Sequence, residues 1–186
     1  MSWYRKDPSI SSLQLPIGSR MVPYFSKDDV EAIRISHKLG KHDDSTILKD
    51  FEDFIDENTL TFSFKLIFLL SMFKLADKEG EVNMDDLIEE YRSFYLARLN
   101  RNLPVDRSNC IYTKEYLNDK IKVKSSILSN PFEKYERKRF IYYSKDLNIL
   151  SFHSILWQQL TVEKKQELCS KEDHFLEVYY GKLGGL

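Results

Sequence analysis

A chain of 186 residues, 42% apolar and 13% aromatic, is sized for one domain with a substantial core, and its twelve Phe and eleven Tyr exclude intrinsic disorder over most of its length. Six Gly and five Pro argue against a β-sandwich or loop-rich scaffold, and two widely separated cysteines, Cys110 and Cys169, argue against a disulfide framework. The net charge of −1 steers nothing by itself, but seven acids against one Lys fall between Asp43 and Leu60, seven against one between Asp77 and Glu90, and nine Lys/Arg against four acids between Lys114 and Lys145.

Residues 1–25 hold Pro8, Pro16 and Pro23 without a sustained period, which predicts an extended N-terminal arm. Its opening, MSWYRKDPS, has no apolar stretch behind the charges, so no secretory signal is expected. A single helical domain is expected over 26–186. Ser26 caps a helix that runs to about Leu39 and ends at Gly40. Ile47, Leu48, Phe51, Phe54 and Ile55 recur at helical spacing, which predicts an amphipathic helix within the first acidic stretch.

Phe62 to Ala76 is apolar nearly all round, the pattern of a central core helix. It carries Lys65 and Lys74 and is too short to span a bilayer, which needs about 20 residues, so no membrane association is expected. Gly80 reads as a helix C-cap, and the spacing around it lacks the ligands of a calcium loop. Asn83 caps a helix over Met84 to Asn100 with Leu87, Ile88, Tyr91, Phe94 and Tyr95 inward. A polar loop runs to about Thr113.

Asn118 or Asp119 starts a basic helix to about Leu128. Asn130-Pro131 breaks it, and a short helix follows over Phe132 to Arg139. Phe140-Ile-Tyr-Tyr and Ile149-Leu-Ser-Phe then flank the polar residues Ser144 to Asn148, which predicts the one β-hairpin of the chain. A final helix spans about Val162 to Tyr180. The expected class is mainly α with one β-hairpin, and with reduced thiols a cytoplasmic location is expected.

The order of core helix, tight turn with Val82, second helix, basic helix and hairpin resembles a winged helix-turn-helix over about 62–157. The stretch from Phe68 through Tyr91 is similar to the first half of such a domain. Leu99 to Thr113 departs from it, being longer than the usual turn between its second and third helices. The segment Asn130-Pro-Phe-Glu-Lys-Tyr-Glu-Arg-Lys-Arg-Phe, with the hairpin and Trp157 after it, resembles helical accessory regions of bacterial helicases and defence-associated nucleic-acid enzymes. The resemblance implies a non-enzymatic nucleic-acid-binding accessory subunit of a larger bacterial complex, with antiviral defence as one setting. The alternative is a protein-interaction or scaffolding subunit without nucleic-acid contact.

Lys120, Lys122, Lys124, Lys134, Arg137, Lys138, Arg139 and Lys145 are the candidate phosphate ligands, because clustered cations release counterions from a polyanion. Tyr135, Tyr142 and Tyr143 are the candidate stacking surfaces. A protein partner is expected through the acidic tracts and through Trp3, Tyr4 and Tyr24 of the arm. No cofactor, metal or catalytic set is expected. His37 and His42 straddle Gly40, Cys169 and His174 form an isolated pair, and His153 has apolar neighbours. Glu136-Arg-Lys138, with Asp106 or Asp119 upstream, has the letters of a restriction-type nuclease but falls in a helical stretch.

Overall fold

A computed structural model describes residues 12–17, 20–36, 43–57 and 60–184. The chain divides into two compact units, residues 1–43 and 44–186. In the first, β1 (Leu13–Ile17) and β2 (Arg20–Tyr24) pair antiparallel, Leu13 opposite Tyr24 and Ile17 opposite Arg20. The stretch expected to be an extended arm is therefore a hairpin in its second half, and the hairpin after the basic helix is not the sole one. Pro16 faces Met21 and Pro23 faces Gln14, so both prolines fall in the same alternate set of positions. In a two-stranded ribbon a proline is tolerated where its missing N–H would point away from the partner strand. Helix α1 (Lys27–Ser36) follows, capped by the Ser26 hydroxyl, which accepts from the Asp29 N–H at 3.0 Å. The expected Gly40 cap lies outside the described residues.

The second unit is mainly helical. Helices α2 (Ile47–Asp56), α3 (Phe64–Leu75) and α4 (Met84–Asn100) match the three periodic stretches. Helix α3 buries residues on every side, as its apolar circumference requires, and packs against α4 and against the long last helix, α9 (Val162–Lys182). Phe51, Phe68, Tyr91, Tyr95, Tyr135 and Phe140 are all but inaccessible and interlock edge to face, Phe51 on Phe140 at 5.1 Å and Phe54 on Tyr135 at 5.0 Å.

Between α4 and the hairpin lie α5 (Lys114–Asn118), α6 (Lys120–Ile127), a wide turn at Leu128–Phe132 and α7 (Glu133–Arg137). Thr113 caps α5 and Asp119 caps α6, each through a side-chain oxygen. Asn130 is extended (φ −173°, ψ 114°) ahead of Pro131, the conformation the following ring imposes. The hairpin is β4 (Ile141–Ser144) and β5 (Ile149–Phe152), with Tyr142 opposite Ser151. A third strand, β3 (Glu81–Asn83), joins it with Val82 opposite Leu150, giving the strand order β3-β5-β4. Helix α8 (Ser154–Gln159) links the sheet to α9.

Gly80 is not a helix cap, because α3 ends at Leu75 with Ala76 as its cap. It sits in the turn into β3 at φ +82°, and a Cβ there would lie 2.7 Å from the Trp157 ring. The indole Nε1 donates to the Lys78 carbonyl at 3.0 Å and the Lys165 ammonium lies 3.3 Å above the ring.

The long α4–α5 connection is ordered by one buried carboxylate. Asp106 accepts from the Ser63 N–H at 2.9 Å, the Ser63 hydroxyl at 2.6 Å and the Tyr179 hydroxyl. It thus supplies the N-terminal cap of α3 that Ser63 itself does not provide. Arg98 donates to the Pro104 carbonyl at 2.7 Å and stacks 3.5 Å over Tyr180.

Candidate nucleic-acid interface

Helix α6 turns Val123, Ser126 and Ile127 inward and leaves Lys120, Ile121 and Lys122 exposed. Its lysines have company. Lys120 reaches Glu89 of α4 at 2.5 Å, and that hydrogen bond holds the Glu89 carboxyl below its ordinary range. Lys122 lies 3.5 Å from Asp119. Lys124 is half-buried and donates to the Asn148 side-chain oxygen at 2.7 Å, with its ammonium 5.5 Å from the Tyr143 ring.

Asn148, in the left-handed conformation (φ +55°), closes the hairpin turn and joins it to three other places. Its side-chain oxygen also accepts from the Tyr143 hydroxyl at 3.0 Å. Its amide donates to Asp85 at 3.1 Å, and its backbone carbonyl accepts from the Met84 N–H at 2.9 Å. The turn is thus tied to both α6 and the start of α4, so Lys124 serves as a structural donor.

Helix α7 buries Tyr135 and turns Lys134 and Arg137 outward, with Lys138 and Arg139 continuing into β4. Arg137 lies 3.6 Å from Glu133, and Arg139, at φ +65°, lies 3.8 Å from Asp44. Lys134, Lys138 and Lys145 have no carboxylate within ion-pair distance among the described residues. Of the candidate stacking rings only Tyr142 is accessible, at 38%. Tyr135 is fully buried and donates to the Lys65 carbonyl at 3.2 Å, and Tyr143 is half-buried against Asn148.

Two acids, Glu79 and Glu81, lie at one edge of the sheet. Glu81, Ser151 and Tyr142 form one cross-strand row, and with Glu79, His153 and Ser154 they line a shallow cleft of about 510 Å³. Two carboxylates at this cleft disfavour an anionic ligand there. His153 is half-buried, with Nε2 3.6 Å from Asp44 and Nδ1 unpartnered.

The nuclease letters separate. Glu136 is on α7, Asp119 caps α6 and Asp106 is spent on Ser63 and Tyr179. No group of three or more His, Cys, Asp or Glu among the described residues is placed to hold a metal, and His37 and His42 lie outside those residues. No helix among the described residues is long and apolar enough to cross a membrane.

One titratable pair escaped the sequence reading. Glu172 on α9 is fully buried, neither carboxylate oxygen has a hydrogen-bond partner, and burial raises its carboxyl to about 8. Lys65 on α3 donates to the Phe54 carbonyl at 2.5 Å and lies 3.6 Å over the Phe54 ring. Burial lowers its ammonium to about 8 against the opposing pull of Glu172. The signal was present, since Leu168, Glu172 and Leu176 share one face of α9 at four-residue spacing.

No family model matches the chain, and neither the curated proteins nor the solved structures supply a match.

Proposed function

We propose that this chain is a non-enzymatic nucleic-acid-binding module of winged-helix type, acting as an accessory of a larger assembly. The observation that carries the reading is the run Arg137-Lys138-Arg139, exposed where α7 enters the hairpin, with Lys134 one turn back and Lys145 at the far end of β4. The strand order β3-β5-β4, with α3 and α4 flanking β3, supports the winged-helix comparison.

The ion pairs of Lys120, Lys122, Arg137 and Arg139 do not stand against it. Their side chains are largely solvated, and exposed pairs of this kind are worth about 0–1 kcal/mol, little enough for phosphate to displace the acid. Mixed charge does limit the affinity and its sequence selectivity. The reading therefore predicts backbone contact of modest strength.

The test is a filter-binding or anisotropy titration of the triple variant Arg137→Glu/Lys138→Glu/Arg139→Glu against the unaltered chain. Loss of duplex and single-strand binding with the circular-dichroism spectrum intact is the expected result. Unchanged binding removes the α7 edge from the account.

A second reading, a protein-interaction subunit without nucleic-acid contact, is favoured by one observation. Five of the eight candidate cations (Lys120, Lys122, Lys124, Arg137 and Arg139) already have intramolecular partners. Failure of the unaltered chain to bind any nucleic acid at low salt selects this second reading.

A further inference from the structure

The cleft on the three-stranded sheet is lined by carboxylates at one end of a cross-strand row and by an aromatic ring at the other. Glu81 stands opposite Ser151 and Ser151 opposite Tyr142, so the three side chains leave the same face of the sheet. Ser151, the smallest of them, is in the middle. The row is therefore a slot, with the Cα atoms of Glu81 and Tyr142 two strand spacings, roughly 10 Å, apart. Glu79 and Ser154 line the same cleft. The Tyr142 ring is 38% exposed, and the His153 ring lies 5.9 Å from it.

Backbone bonds hold this arrangement in shape. The Glu81 N–H donates to the Asp77 carboxylate at 2.9 Å, and the Glu81 carbonyl accepts from the Asp77 N–H at 3.0 Å. The Phe152 N–H donates to the Gly80 carbonyl at 3.0 Å and the His153 N–H to the Phe140 carbonyl at 2.8 Å. A preformed site loses little conformational freedom when it is filled.

The charges select the ligand. The Glu81 carboxylate has no hydrogen-bond or ion-pair partner among the described residues, and the Glu79 carboxylate has only its exposed neighbour Lys78, 3.8 Å away. Asp44, 3.6 Å from His153 Nε2, is shared with Arg139 at 3.8 Å. The lining is thus net negative and suits a cation. Among cations a guanidinium fits this slot best. It is flat and weakly hydrated, stacks on a tyrosine ring and donates two parallel N–H groups to a carboxylate. A lysine ammonium is compact and strongly hydrated, and gains less in an open cleft. The Ser151 and Ser154 hydroxyls offer acceptors for further N–H groups. Because the cleft is shallow, it covers one such group and leaves the rest of its bearer outside.

We propose that this cleft receives the guanidinium of an arginine side chain from a partner polypeptide, with Glu81 as its carboxylate and Tyr142 as its stacking ring. The site uses none of the cations of the α7 edge, so it stands or falls independently of the nucleic-acid reading.

The test is an amide nitrogen–proton NMR titration of the full chain with the capped tripeptide Gly-Arg-Gly, its Gly-Lys-Gly counterpart and free methylguanidinium. The arginine peptide is expected to shift the amides of Glu81, Tyr142 and Ser151 with a dissociation constant in the millimolar range. The lysine peptide and methylguanidinium are expected to bind several-fold more weakly. Glu81→Gln and Tyr142→Leu, each checked for an otherwise unchanged spectrum, should each weaken the arginine peptide about fivefold. Should Tyr142→Leu disturb the sheet, Tyr142→Phe, which keeps the ring, is expected to bind as the unaltered chain does. Absence of localised shifts, equal binding of the lysine peptide, methylguanidinium as tight as the peptide, or indifference to Glu81→Gln would overturn the proposal.

Discussion

The Lys124 ammonium and the Asn148 side-chain oxygen meet at 2.7 Å, joining helix α6 to the turn between β4 and β5. Asn148 also accepts from Tyr143, donates to Asp85 and adopts φ +55°, so one side chain ties the turn to α4, α6 and β4 beside its backbone pairing. Asn148→Ala loses these bonds and leaves a Cβ-bearing residue in the left-handed region. A loss of about 2–3 kcal/mol in urea unfolding is expected. Asn148→Gly relieves the backbone strain and should recover about 1 kcal/mol of it. Equal destabilisation by the two variants would show that the backbone conformation contributes nothing.

Gly80→Ala meets two obstacles, the positive φ and a Trp157 ring 2.7 Å from the new methyl. The ring is held by its bond to Lys78 and by Lys165 above it, so it cannot withdraw without losing both. Destabilisation of about 2–4 kcal/mol is expected. Combining Gly80→Ala with Trp157→Phe, which narrows the ring system, should cost less than the sum of the two single changes.

Lys65 and Glu172 give the chain a distinctive pH profile. Glu172 is raised from 4.5 to about 8 by burial, so above pH 4.5 the folded chain keeps a proton that the unfolded chain releases. Stability from this group is complete below pH 4.5 and falls as pH rises to about 8. Lys65 is lowered from 10.5 to about 8, so the folded chain has released a proton that the unfolded chain still binds. Stability from Lys65 therefore rises between about 8 and 10.5. Together the two produce a minimum near pH 8. Glu172→Gln is expected to flatten the limb between pH 5 and 8 in urea midpoints taken across that range. A limb of unchanged slope in the variant would assign it to other groups, of which Asp173, also raised by burial, is the nearest.

Asp106 is the one carboxylate that connects the α4–α5 connection, the start of α3 and the end of α9. Asp106→Ala leaves the Ser63 N–H without its acceptor and the Ser63 and Tyr179 hydroxyls with only their weaker or shared partners, Tyr95, Tyr180 and the Thr61 carbonyl, with an expected loss of about 2–3 kcal/mol. Asp106→Asn keeps one acceptor oxygen and should lose roughly half as much. Near-wild-type unfolding of the alanine variant would mean that water replaces the carboxylate.

The elements that were legible in the residues are those with a strong period or a cap. Phe62 to Ala76 announced the central helix, Asn83 the start of α4, and the Phe140 and Ile149 quartets the hairpin. The β1–β2 ribbon was hidden because Pro16 and Pro23 argue against strands unless their positions in a register are known. Strand β3 is three residues long, too short for a period, and is made a strand by β5 beside it. Helices α5 and α8 are likewise shorter than two full turns.

At the candidate interface the residue types were legible, but their partners were not. Lys120 and Glu89 lie 31 positions apart and Lys124 and Asn148 lie 24 apart, contacts that only tertiary packing brings about. Tyr135 read as a stacking ring because its neighbours are basic, yet the helix turns it into the core. Charge composition predicts which surface a chain has to offer. It does not say which cations are already occupied.

Binding to duplex and single-stranded nucleic acid at two salt concentrations tests the central claim most directly. Contact through Lys134, Arg137, Lys138, Arg139 and Lys145 should give a log–log salt slope of about −3 to −5. The same slope should fall toward zero in the Arg137→Glu/Lys138→Glu/Arg139→Glu variant. No binding at low salt, or an affinity that is flat between the two salt concentrations, would contradict the nucleic-acid reading and leave the protein-interaction reading in its place.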